Sequence, residues 1–232
     1  MPAPATASCL AQAVVAADRA ADAAEDARLL AAFAGGDANA FNRLYARHEQ
    51  ALYRFVRRLL GRSLAAQADE VFQDTWLKVV QARDRFDPRA AAFRTWLFAL
   101  AHHRAIDLLR RSGREVSMPD NDESAHAHSD APGYSPRTEP WLAWPAAQGS
   151  SAHDQLFWRH AGERLLQCLD QLPAAQRAVF LLHHDDDHSL DEIARALELG
   201  FETAKSRLRY AMGKLRVCLG AYLAPDVWAG AR

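Results

Sequence analysis

Between residues 115 and 155 the chain carries five of its ten prolines, seven acids, a single arginine and many Ser and Ala. Proline offers no N–H to a helix or a ladder, and it pushes the residue before it out of the helical region. So acidic and proline-rich a stretch has too little apolar surface to offset the entropy of being ordered. It reads as a linker, and it divides the 232-residue chain into two pieces that must each build a core of their own. About 40 flexible residues have an end-to-end distance of roughly 35 Å, so the pieces can engage sites well apart.

Both pieces repeat apolar residues at helical spacing. Before the linker these are Phe41, Leu44, Tyr45, Leu52, Phe55, Val56 and Leu59, then Val71, Phe72, Thr75, Trp76, Val79 and Val80. Asp87-Pro88 breaks the pattern between Asp84 and Ala92, where a loop is expected. Phe93, Trp96, Leu97, Leu100 and Ala101 resume it and run through Leu108 into Arg110, Arg111 and Arg114. Trp96 shares the apolar stripe with Phe93 and Leu100 and reads as core. After the linker come Leu165, Leu166, Leu169 and Leu172, a Pro173 suited to a first helical turn, and Val179–Leu182. The fold class is all-α: an N-terminal helical bundle over 30–113 and a C-terminal helical domain over 156–224, joined by a flexible linker over 114–155. Residues 1–29 are mostly Ala with little large apolar surface, and are expected to form a frayed or weakly docked extension.

Ser189 and Glu192 have the S-x-x-E spacing of a capping box, which starts a short helix over Leu190–Leu197. Leu199-Gly200-Phe201 is expected to turn, and Ala204, Leu208, Ala211 and Leu215 set the inner face of the next helix. Two short helices joined this tightly form a helix-turn-helix, and small Ala194 opposite Ala204 lets them cross closely. The second helix bears Lys205, Arg207, Arg209, Lys214 and Arg216 against one acid, Glu202, although the whole chain carries a net charge of only −1. Such a cluster attracts phosphate, and residues at the helix start reach base edges in the major groove. Lys205, Ser206, Arg207 and Arg209 are the candidates, with Thr203 and Tyr210 on the same helix.

Three strings, DEVFQDTWLKVV (Asp69–Val80), FRTWLFALAHHRAIDLLRR (Phe93–Arg111) and SLDEIARALELGFETAKSRL (Ser189–Leu208), together resemble the extracytoplasmic-function (ECF) subfamily of sigma-70 RNA polymerase sigma factors in order and spacing. The resemblance covers roughly residues 30–113 and 160–222. It implies a factor that binds core RNA polymerase and directs promoter-specific initiation by recognising and melting promoter DNA. By the same resemblance Asp69, Glu70, Gln73, Asp74 and Thr75 contact core polymerase. Acids and amides beside an apolar stripe suit such a polar rim. The minus-ten strand is assigned to Phe86, Phe93, His102, His103, Arg104, Arg110 and Arg111, because unpaired bases stack on aromatics while their backbone follows cations. Asp107 caps that cationic cluster rather than touching DNA. The C-terminal helix-turn-helix is assigned the minus-thirty-five element, and an anti-sigma factor is implied as a further partner. The chain departs from the family at Glu198, where Gly is common in the turn, at Ala204, where Val is usual, and at His103, where Asn is frequent.

Cys9, Cys168 and Cys218 are odd in number and lack the spacing of a zinc site or a disulfide framework, which fits a reducing cytoplasm. The stretch through Val15 does not read as a signal peptide, and no window approaches the roughly 20 apolar residues of a membrane span, so no membrane insertion is expected. No nucleophile with a base, phosphate loop or spaced metal motif appears, so neither catalysis, cofactor nor metal is expected. The run His183–His188 holds possible ligands, but consecutive positions cannot all converge on one ion, and it reads as a solvated loop with partner contact as an alternative. Trp141 and Trp144 are expected to dock on a domain or partner. The competing functions are a conventional helix-turn-helix regulator, which binds duplex DNA as a dimer without polymerase and leaves Asp69–Arg111 idle, and an interaction protein such as an adaptor whose helical domains bind another regulator.

Overall fold

The computed structural model describes residues 5–113, 152–185 and 188–223. Among the described residues eight helices follow in order: α1 (Ala5–Ala34), α2 (Ala38–Leu60), α3 (Ala68–Ala82), α4 (Phe93–Arg111), α5 (Ala152–Asp170), α6 (Ala174–His184), α7 (Leu190–Ala196) and α8 (Phe201–Leu223). Short 3₁₀ turns at Arg62–Gln67 and Arg83–Arg85 flank α3, and the described residues contain no strand. Trp141 and Trp144 lie outside the described residues.

Helix α2 starts at Asp37, whose carboxylate accepts a hydrogen bond from the Asn39 N–H at 2.9 Å. It ends at Gly61, whose φ of 69° suits a residue without Cβ and whose N–H donates back to the Arg57 carbonyl. Between them Leu44, Leu52, Phe55, Val56, Leu59 and Leu60 are buried against α1, α3 and α4. Helix α4 begins after the Pro88 loop and buries Phe93, Leu97, Phe98, Ala101, Ala105 and Leu109 in the same core. In the second unit α8 packs along α5, α6 and α7, burying Ala204, Leu208, Ala211, Met212 and Leu215.

Three expectations change. The segment expected to fray is helical and docks well before its end. Asp26 is buried and accepts from Arg47 Nε at 2.8 Å, with His48 Nε2 at 2.8 Å on its other oxygen, while Leu29 and Leu30 join the core. Partners on α2, distant in sequence and so shown by no local pattern, supply what the Ala-rich composition lacks. The loop expected to be solvated is largely used: α6 extends through His184, Asp185 pairs with Arg58, and His188 is buried. Asp186 and Asp187 lie outside the described residues. Finally, Cys168 of α5 and Cys218 of α8 form a disulfide, although their spacing in sequence suggests none.

The two units are not held apart. Helix α6 packs on α2 and α7 on α4, so buried residues of both units form one continuous core. Phe98 of α4 shows this directly, with its ring centroid 5.2 Å from Phe55 of its own unit and 5.4 Å from His188 of the other.

The disulfide closes a loop of 50 residues. Restricting an unfolded loop of that size contributes up to about 4 kcal/mol in the chain-entropy account. Cys218→Ser is therefore expected to lower the unfolding free energy of the air-oxidised protein by up to that amount in chemical denaturation, and an unchanged value would mean that the bond does not form.

Candidate nucleic-acid interface

The helix-turn-helix is assembled from its cap outward. Ser189 Oγ accepts from the Glu192 N–H at 3.3 Å, and the Ser189 N–H donates to the Glu192 carboxylate at 2.8 Å. That box fixes the start of α7, while Ile193, Ala194 and Leu197 bury its inner face. The left-handed residue of the turn is Glu198, with φ 54°, rather than Gly200. Glu198 thus holds the conformation that a glycine adopts without cost, which locates the chain's departure from the family at a strained backbone position.

Beyond that turn, α8 turns Thr203, Lys205 and Arg209 to solvent, and Ser206, Arg207 and Tyr210 are half-buried. Lys205 Nζ lies 3.5 Å from the exposed Glu202 carboxylate, Ser206 Oγ donates to the Thr203 carbonyl at 3.0 Å, and the Arg209 guanidinium lies 5.2 Å from the Tyr210 ring centre. Exposed pairs of this kind hold their partners weakly, so the cations remain available to phosphate.

On α4 the expected strand contacts separate into two groups. Phe86 in the preceding loop is half-buried, and His103, Arg110 and Arg111 are exposed. Phe93 is fully buried beneath Phe86, Trp96 and His48, so in this conformation its ring meets no base. Trp96 is half-buried rather than core, its ring tilted against Phe86 with centroids 5.3 Å apart. Arg104 turns away from the strand path: its Nε donates to Asp74 at 2.6 Å and its Nη2 to Glu70 at 3.0 Å, tying α4 to α3. Asp107 offers only its backbone carbonyl to Arg111, at 3.2 Å. His102 has an enclosed Nδ1 without a hydrogen-bond partner, and burial lowers its pKa to about 3, helped by the charges of His103, Arg207 and Arg110. Arg207 of α8 therefore lies within electrostatic reach of the strand face of α4.

On α3 the expected polymerase contacts also divide. Asp69 accepts from Tyr53 Oη at 2.8 Å, Glu70 and Asp74 hold Arg104, and Gln73 is exposed. Thr75 is buried and donates its hydroxyl to the Val71 carbonyl at 2.7 Å, a role inside the helix. Asp69 and Gln73 share an open depression of about 400 Å³ with Tyr45, Glu49, Gln50, Tyr53 and Phe72. The α2 side of that depression is absent from the candidates drawn from sequence. Tyr45, Glu49 and Tyr53 recur every four residues, a spacing that signals one helix face but not its neighbour.

Comparison with known proteins agrees with this layout. The sequence model described as Sigma-70 region 2 matches residues 44–115, and that described as Sigma-70, region 4 matches residues 162–215. The chain is 30% identical over 186 residues to the ECF RNA polymerase sigma factor SigL of Mycobacterium tuberculosis, covering 80% of this chain and 92% of SigL. Among solved structures, CnrH in complex with the cytosolic domain of CnrY superimposes with a TM-score of 0.55 at 25% identity, over 85% of this chain and 98% of that one. The sigma factor RpoE in complex with the anti-sigma factor NepR from Bartonella quintana has the same fold, with a TM-score of 0.53 at 23% identity over 78% of this chain and 96% of that one.

Two predictions follow from this geometry. Glu198→Gly removes the left-handed strain of about 1–2 kcal/mol, partly offset by a looser unfolded chain, so a net gain of up to about 1 kcal/mol is expected in chemical denaturation. His102 and His188 are held neutral, with pKa values lowered to about 3 and about 4, chiefly by burial. The unfolded chain binds their protons first. Their contribution is therefore complete above about pH 6.5 and is lost as pH falls toward 4 and 3. Denaturation midpoints measured across that window should fall with acid, and His188→Leu should flatten part of the slope.

Proposed function

The chain belongs to the ECF subfamily of sigma-70 RNA polymerase sigma factors, and we propose a division of its promoter-directed initiation between its two helical units. In this reading residues 30–113 bind core polymerase and capture the melted minus-ten strand, while residues 156–224 read the minus-thirty-five element as duplex. The observation that carries it is the exposed face of α8, with Thr203, Lys205 and Arg209 standing clear of a capped and buried α7, in one chain with the α3–α4 pair.

Polymerase contact is assigned to the depression holding Asp69 and Gln73, with Tyr53 and Glu49 contributing from α2. Glu70 and Asp74 act there through Arg104, which sets the angle between α3 and α4. Phe86, His103, Arg110 and Arg111 form the strand path, and Phe93 supports it from beneath. Thr203, Lys205, Ser206, Arg207, Arg209 and Tyr210 form the duplex-reading face, with Lys205 and Arg209 as phosphate contacts. The protein acts in the cytoplasm without catalysis of its own, and an anti-sigma factor covers it when initiation is not required. The NepR complex of the Bartonella relative supports that partner by analogy. No helix among the described residues is long and apolar enough to cross a membrane.

Purified core polymerase gives the test. The protein is expected to confer promoter-specific run-off transcription on core enzyme; a conventional regulator would instead shift duplex DNA alone and leave core polymerase unbound. Lys205→Ala and Arg209→Ala should each reduce the slope of log affinity against log salt by about 1. Unchanged slopes would remove their phosphate role.

A further inference from the structure

Helix α1 is joined to α2 by a face of acids. Glu25 pairs with Arg43 at 2.9 Å and Asp22 with Arg47 at 2.7 Å, both toward solvent, where such pairs hold little. Asp26 is 2% exposed, and both of its carboxylate oxygens are used, Oδ1 by Arg47 Nε and Oδ2 by His48 Nε2, each at 2.8 Å. An ionised carboxylate only accepts, so His48 Nε2 donates, and the buried imidazole is held in one tautomer and one ring orientation.

The same ring lies against Phe93, with centroids 5.4 Å apart. Phe93 in turn meets Phe86 at 6.0 Å and Trp96 at 5.9 Å. A chain of contacts thus runs from a buried carboxylate on α1 to the half-buried rings at the start of the strand path. Helix α1 also flanks that loop directly, where Ala23, Ala24 and Ala27 line a cavity of about 170 Å³ with Phe86 and Pro88. A carboxylate is costly to bury, and an apolar pair of similar size would hold α1 on α2 as well. What the carboxylate adds is direction: its hydrogen bond fixes the imidazole, and the imidazole sets the ring of Phe93.

We propose that Asp26 and His48 are positioning residues for the melted minus-ten strand, which through Phe93 set the angle at which Phe86 meets an unstacked base. The proposal rests on the reading that Phe86 and its loop capture that strand. It gives the last turns of α1 a part in strand capture, although Asp26 lies outside residues 44–115 matched by the region 2 model. Stacking depends on ring geometry, so loss of the pair acts on strand affinity. Polymerase affinity is spared, because the depression assigned to polymerase contains neither residue.

The test uses the full chain bound to core polymerase, with core polymerase alone as background and thermal melts confirming the fold. The probes are a random-sequence single strand of about 12 nucleotides and a mixed-sequence duplex of about 30 base pairs. Asp26→Asn and His48→Ala are each expected to weaken single-strand binding about tenfold, while duplex and polymerase affinity stay within about twofold. His48→Gln, whose amide still donates to Asp26, is expected to recover most of the strand affinity. In a Phe86→Ala background Asp26→Asn should add no further loss, because the pair acts through that ring. Asp26→Leu combined with His48→Leu replaces the polar pair by an apolar contact and keeps the fold, yet should bind the strand about tenfold more weakly. Wild-type strand affinity in that double variant, or equal losses of strand and polymerase affinity in every variant, overturns the proposal. If Phe86→Ala leaves strand affinity unchanged, the strand reading fails and the proposal with it. A loss in Phe86→Ala with none in the Asp26 and His48 variants counts against the positioning role alone.

Discussion

Leu52, Phe55, Val56 and Leu59 of α2 lose essentially all solvent contact, because helices close on them from several directions. Helix α1 lies along one side, α3 and α4 complete the N-terminal bundle, and α6 of the second unit covers the end that Gly61 leaves open. The remainder of the structure depends on this one stripe. It sets where α3 presents Asp69 and Gln73, where α4 presents His103 and Arg110, and which carbonyls Arg177 meets. Polar contacts then fix the angles that apolar burial leaves loose, as Arg104 does between α3 and α4 through Asp74 and Glu70.

What was legible in the sequence is whatever depends on residues near one another in the chain. Helical periodicity, the Pro88 break and the basic end give α4 its limits at Phe93 and Arg111, and the Ser189–Glu192 spacing gives the cap of α7. Pairings between distant positions carry no comparable signal. Asp26 finds Arg47 and His48, Arg104 finds Glu70 and Asp74, and Cys168 finds Cys218 only once helices have been laid side by side. His188 is the sharpest case: a histidine in a run of polar residues is buried because another unit's Phe98 lies over it.

The candidate site divides along the same line. The outward residues of α8 follow from one amphipathic helix, and the structure finds Thr203, Lys205 and Arg209 exposed. The expected contacts on α3 and α4 mix outward residues with those that hold the scaffold, because residue type alone does not say which way an aromatic or an arginine turns. Phe93, Thr75 and Arg104 support the faces on which Phe86, Gln73 and His103 stand. Glu198 marks a third kind of position, where a side chain occupies backbone geometry that glycine holds more easily.

In the proposed division of labour, one chain reads two separated promoter elements in two different forms of DNA while bound to polymerase. Photo-crosslinking from His103 and from Arg209 positions within a single polymerase–promoter complex tests it most directly. The α4 probe is expected to label the melted minus-ten strand and the α8 probe duplex about 25 base pairs upstream, both only when core polymerase is present. Labelling of the same element by both probes, or equal labelling without polymerase, would contradict it.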